Sequence, residues 1–135
     1  MSVSDSPNLE LVRAAYDAFH RRDPDALLDV LAPDVRWVHP DGMSTYDLGG
    51  TAHGHAGVRG FLARVPTVLN GMRLEPHEFV ESGDRVVVFG VRHVTSVRGH
   101  TERLKFVHSW TLHEGKAAVM EDIFDTVLFH RLIES

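Results

Sequence analysis

Histidine and aspartate are the residues of this chain best suited to moving protons. There are 10 histidines among 135 residues and no cysteine. Imidazole, with an ordinary pKa of about 6.5, is the side chain that titrates near neutral pH, so it can act as base or acid in the cell. A neighbouring carboxylate would hold an imidazolium or return a proton. Without cysteine there can be no disulfide framework, thiolate nucleophile or cysteine zinc site.

Strand parity sorts these residues, because side chains two apart share a face. In "LKFVHSWTL", His108 shares a strongly apolar face with Leu104, Phe106, Trp110 and Leu112, so it is expected to point inward. In "DVRWVHPDG", His39 goes with Val35 and Trp37, opposite Arg36, whose charge belongs in water. In "VVVFGVRHV", His93 goes with Phe89 and Val91, opposite Val88, Gly90 and Arg92, and is expected to be a third inward histidine. In "VMEDIFD", Met120, Asp122 and Phe124 oppose Glu121, Ile123 and Asp125, and parity alone does not choose between the faces. His53 and His55 read as loop and cap residues, and His20, His77, His100, His113 and His130 as solvated surface.

The elements that must position these residues are legible from capping and period. Ser6-Pro7 opens a first helix, with Leu9, Val12, Tyr16 and Phe19 on one apolar face. The Tyr16 hydroxyl, on an inward face, needs a partner. Asp23-Pro24 opens a second, short helix that ends at Ala32-Pro33. A strand over 35–39 follows, then a Gly-rich loop, "DGMSTYDLGGTAHG", and a third helix, "HAGVRGFLARV", with Val58, Phe61, Leu62 and Val65 on one side. The rest reads as four strands, "MRLEPHEFV", "RVVVFGVRHVTSV", "TERLKFVHSWTL" and "KAAVMEDIFDTVL", joined by turn-type connections. Helices first and a strand meander second indicate an α+β fold in one domain over 1–135.

Composition narrows the function classes. Net charge is -5 and the basic residues are scattered, so the footprint of nucleic-acid binding is missing. No apolar run reaches the length of a membrane span, and the first residues lack the pattern of a secretory signal. The cytoplasm is the expected compartment.

Four stretches, "VRAAYDAFHRRDPDALLDVLAPDVRWVHP", "GHAGVRGFL", "VHSWTLHEGK" and "VMEDIFDT", in this order across residues 9 to 127, resemble the NTF2-like superfamily. The wording is most similar to its SnoaL-like branch, which includes ketosteroid isomerases and polyketide cyclases. The resemblance implies a cone, with helices packed on a strongly curved antiparallel sheet that encloses a pocket. It also implies a homodimer formed through the outer sheet face. Aligned by motif, the isomerase's general-base aspartate falls at His39 and its protonated aspartate at His108. Its oxyanion tyrosine falls at Ala15, one place from Tyr16. The acidic residue that cyclases use on the last strand falls at Asp122, which turns Met120, Asp122 and Phe124 inward. None of the isomerase's three residues is kept, which counts against steroid isomerisation itself.

Parity and resemblance together give one expectation. His39, His108 and Asp122 form the catalytic group, and Tyr16, Trp37, Phe61, His93, Trp110, Met120 and Phe124 bind substrate. The chemistry is cofactor-independent isomerisation, cyclisation or a related lyase reaction on a small apolar carbonyl or polyketide-like compound. His39 is the base, and His108 donates to the developing enolate oxygen. Three other readings stand beside it. The same cone could bind a ligand without catalysis. The set His39, His93, His108 and Asp122 could hold a metal. The outer face, with Arg92, Lys105, Ser109 and Thr111, could serve a protein partner.

Overall fold

The computed structural model describes residues 5–135. Helix α1 (Pro7–His20) begins where the Ser6 hydroxyl accepts the Leu9 amide, and α2 (Pro24–Val30) where the Asp23 carboxylate accepts that of Ala26. Strand β1 (Leu31–His39) follows directly. It starts earlier than expected, at Leu31, with Pro33 inside it. The Gly-rich loop is more ordered than its composition suggests, with a short 3-10 helix over Asp41–Tyr46 and strand β2 over Gly50–His53. Helix α3 (Gly54–Arg64) leads into the long strands β3 (Leu69–Ser82), β4 (Arg85–Ser96) and β5 (Thr101–His113), then β6 (Lys116–Phe124).

The sequence reading also missed a helix. It extended the last strand through "DTVL", but the chain turns at Asp125, whose carboxylate caps α4 (Thr126–Glu134) through the Val127 and Leu128 amides. Phe129 and Leu132, one helical step apart, bury against Met43, Leu48, Leu69, Val94 and Leu104.

The strands form one curled sheet in the order β2-β1-β6-β5-β4-β3, antiparallel except for the β1–β6 pair. Bulges interrupt β3 between Leu69 and Gly71 and between Pro76 and Glu78, which bends the edge strand around the interior. Opposite the second bulge, Gly90 lets the Phe106 ring lie against the strand, since a Cβ there would sit 2.7 Å from that ring. Helices α1, α2 and α3 cover the concave face, and Val12, Ala15, Tyr16, Leu27, Leu28 and Val58 are buried against it. This is the α+β cone of the NTF2-like fold.

Candidate active site

Cross-strand register decides which residues meet. His108 pairs with Asp122 across β5–β6, and Val38 with Glu121 across β1–β6, so His39, Asp122 and His108 lie in one row across the floor of the cone. All three are buried. This register puts Met120, Asp122 and Phe124 on the concave side. Trp37, Met120 and Trp110 form the next row.

The row ends in a cavity of about 550 Å³. Its wall includes Trp37, His39, Phe61, Trp110, Met120 and Phe124, with His108 and Asp122 at the floor. A mostly apolar cavity of this size, with a few converging polar groups, has the composition of a small-molecule site. The Phe61 ring stacks on His39 at 4.1 Å between centroids and holds that imidazole flat against the wall.

Two of the expected ligand-binding residues lie elsewhere. His93 is on the convex face, where its Nε2 meets Glu75 at 2.9 Å, so it neither lines the cavity nor completes a metal set with His39, His108 and Asp122. Among the described residues, no group of three or more candidate ligands is arranged for a metal. Tyr16 is buried behind His108 and does not line the cavity. Three further histidines are more engaged than solvated surface residues: the rings of His20, His55 and His130 each meet a backbone carbonyl, of Leu74, Leu31 and Gly42.

The residue that takes His93's place is its neighbour. Arg92, assigned to the outer face by parity, points into the cone and is 4% exposed. Its Nη2 donates to Asp122 Oδ1 at 2.5 Å, and its guanidinium lies 4.5 Å over the Phe124 ring. The signal was available in the sequence. A tight turn joins β4 to β5, and pairing outward from it sets Arg92 opposite Leu104 and Gly90 opposite Phe106, on the face that carries His108.

Donor inventory fixes the protons in this cluster. Trp110 Nε1 can only donate, and it donates to the Tyr16 hydroxyl at 3.1 Å. Burial pushes the Tyr16 phenol far above its ordinary pKa, so it keeps its proton and donates it to His108 Nδ1 at 2.7 Å. Burial also pulls the His108 pKa down, against the pull of Asp122, so the ring is neutral and its one proton sits on Nε2. That nitrogen faces Asp122 Oδ1 at 3.3 Å. The 3.5 Å approach of Arg92 Nη2 to His108 Nε2 is therefore two donors converging on one oxygen.

Burial disfavours ionised Asp122, but the Arg92 guanidinium, with His108 and His39, outweighs it and holds the carboxyl well below the usual carboxylate range. The carboxylate can then only accept. His39 Nε2 faces Oδ2 at 3.4 Å. Nδ1 is buried and has no partner among the described residues.

The fold is an NTF2-like cone with a buried polar cluster under an apolar cavity. Residues 12–120 match the SnoaL-like domain, and the chain belongs to this family. At 64% identity and a TM-score of 0.95, it is similar to TerC, whose crystal structure was determined with polyporic acid; the match covers 96% of this chain and 100% of that one. At 55% identity and a TM-score of 0.95, it is similar to an NTF2-like protein of unknown function from Burkholderia pseudomallei, covering 97% and 100% of the two chains. A SnoaL-like protein from Jannaschia, 16% identical with a TM-score of 0.82 over 99% of each chain, shares the fold. No curated protein matches the chain.

Proposed function

We propose that this protein is a cofactor-independent acid/base enzyme, an isomerase, cyclase or related lyase, acting on a small, flat, largely apolar carbonyl compound. The His39 imidazole, in the wall of an apolar cavity and beside the Asp122 carboxylate, carries this reading. In the reaction His39 takes a proton from the position next to a carbonyl. The imidazolium that forms is held by the Asp122 carboxylate, already ionised through Arg92. His108, bonded on both ring nitrogens, keeps Asp122 in place and does not itself donate to the substrate. Trp37, Trp110, Phe61 and Phe124 give the substrate flat apolar walls. The complex of TerC with polyporic acid, an aryl-substituted dihydroxyquinone, supports an aromatic carbonyl substrate here.

The protein is further proposed to work in the cytoplasm as a homodimer through the convex face of the sheet. Phe89, Val107 and Ile123 stand side by side there across three strands, and Phe89 and Ile123 are 44% and 50% exposed. Ile123→Glu should then give a monomer by analytical ultracentrifugation; an unchanged sedimentation coefficient would remove the dimer from the account.

The catalytic reading is tested in D₂O with aryl ketones and hydroxyquinones, following deuterium uptake and product formation by NMR and mass spectrometry. Exchange or conversion by the wild type, lost in His39→Ala, is expected. A ligand that binds tightly and is recovered unexchanged and unconverted would make the protein a binding module.

A further inference from the structure

The cavity opens to solvent where the exposed residues Arg22, Pro24, Pro66 and Asn70 line it, and it closes on the buried Trp110, Met120 and Asp122. The charged residues along its wall are Arg22, Asp23, Arg92 and Asp122, and three of these are paired within the chain. Arg92 and Asp122 pair with each other. Asp23 accepts the Ala26 amide and lies 3.5 Å from Arg21. Arg21 is tied to Asp17 and Asp23, whereas the Arg22 guanidinium has no hydrogen bond or ion pair among the described residues. The mouth of an apolar cavity thus carries a cation that the fold does not use.

The backbone at Arg22 is unusual as well. Arg22, Asp47 and Glu114 are the non-glycine residues with positive φ among the described residues, and of these only Arg22, at 52°, lines the cavity. Helix α1 ends there in a Schellman turn, with the Asp23 amide donating to the Ala18 carbonyl and the Arg22 amide to that of Phe19, each at 3.0 Å. Glycine is favoured at this left-handed position because it has no Cβ to clash. Arginine there costs stability, and strained positions of this kind cluster at ligand sites. Asp23 caps α2 at the same corner, so the Arg22 backbone is fixed between two helix ends.

We infer that Arg22 binds a carboxylate on the outer end of the ligand, which makes the substrate an aryl carbonyl compound with a terminal acid. The inference rests on the acid/base reading, in which this cavity is the substrate site, and it narrows the class of compound. A guanidinium only donates, and its planar fork fits the two oxygens of a carboxylate. The long side chain can lay its stem along the apolar rim and keep its charge in water. The carboxylate then stays hydrated beside Arg22, while the rings and the carbonyl end enter toward His39. Water competes for both charges at an exposed site, so the contact gives orientation and selectivity more than tight binding.

The probes are 4-acetylbenzoic acid and 4-(4-acetylphenyl)benzoic acid, which differ in length, each with its primary carboxamide as the uncharged counterpart. Affinities are measured by calorimetry at neutral pH, and deuterium uptake at the acetyl group by NMR in D₂O. The wild type is expected to bind at least one acid about 5-fold more tightly than its amide, with the preference shrinking at high salt. Arg22→Gln keeps most of the side chain without its charge, and should abolish the preference while leaving the affinity for the amide unchanged. Arg22→Gly suits the left-handed backbone, so it should abolish the preference too while raising the urea midpoint, which separates the loss from misfolding. No binding, no preference for either acid in the wild type, or a preference kept in Arg22→Gln or Arg22→Gly would overturn the inference. Deuterium uptake by acid and amide alike, with equal affinities, would overturn it and leave the acid/base reading standing. An Arg22-dependent preference without uptake would do the reverse.

Discussion

The two sides of the Asp122 carboxylate are built differently. On the α1 side every polar atom is used: Trp110 donates to Tyr16, Tyr16 to His108, and His108 to Oδ1. On the cavity side the same carboxylate meets His39 and Arg92, and each keeps a nitrogen with no partner among the described residues. A fully satisfied buried network fixes geometry, while a partly satisfied one costs stability unless something binds. The first half is a closed support, and under the proposed function the second is the working surface. One anion, with a rigid back and an unsatisfied front, can then hold a base in one orientation.

The sharpest way to break this contrast is to remove the residue both halves share. Asp122→Ala leaves the Arg92 guanidinium buried and unpaired, and is expected to cost about 3–5 kcal/mol in urea unfolding, since charges stripped of a buried partner are strongly destabilising. His39→Ala touches only the front. It should lower turnover about 10²- to 10⁴-fold, the usual contribution of a positioned base, with little change in unfolding free energy. Tyr16→Phe touches only the back, orphaning Trp110 Nε1 and His108 Nδ1, and should cost about 1–3 kcal/mol in stability.

The pH dependence should separate the halves further. The folded pKa of His108 lies below its ordinary 6.5, so between the two values the unfolded chain binds the extra proton. The stability involved is fully present above about 6.5 and is lost as pH falls through the folded value. Asp122 contributes in the same direction at lower pH, present above its ordinary 3.8 and lost below it. Urea midpoints measured from pH 8 to pH 5 should therefore fall in the wild type and flatten in His108→Asn. The smallest effect is expected at His93→Ala on the convex face, which should leave turnover and the unfolding midpoint unchanged within experimental scatter.

How much of this could be read from the residues depends on how local the signal was. Caps at Ser6, Asp23 and the Gly-containing turns set most elements, and alternation placed His39 and His108 on the concave side because their strands carry Trp37, Phe106 and Trp110 on one face. Strand β4 defeated the same method. Both of its faces are apolar near the middle, since one packs inside and the other carries the exposed Phe89 row. Alternation therefore favoured His93, and only pairing with β5 reveals Arg92. Tyr16 was correctly read as inward, but its hydroxyl meets a histidine 92 residues away, which no local pattern encodes. Helix α4 was missed because "DTVLFHRL" continues the apolar run of β6, although Asp125 signals a cap.

Asp122 is proposed to hold the His39 proton on Nε2, and ¹⁵N NMR of the histidine side chains at pH 8 tests this most directly. The expected result is a proton on Nε2 in both rings, with His39 Nδ1 showing the shift of a nitrogen without a bonded partner and His108 Nδ1 that of a hydrogen-bonded acceptor. A His39 ring protonated on Nδ1, with Nε2 as the bare nitrogen, would contradict it.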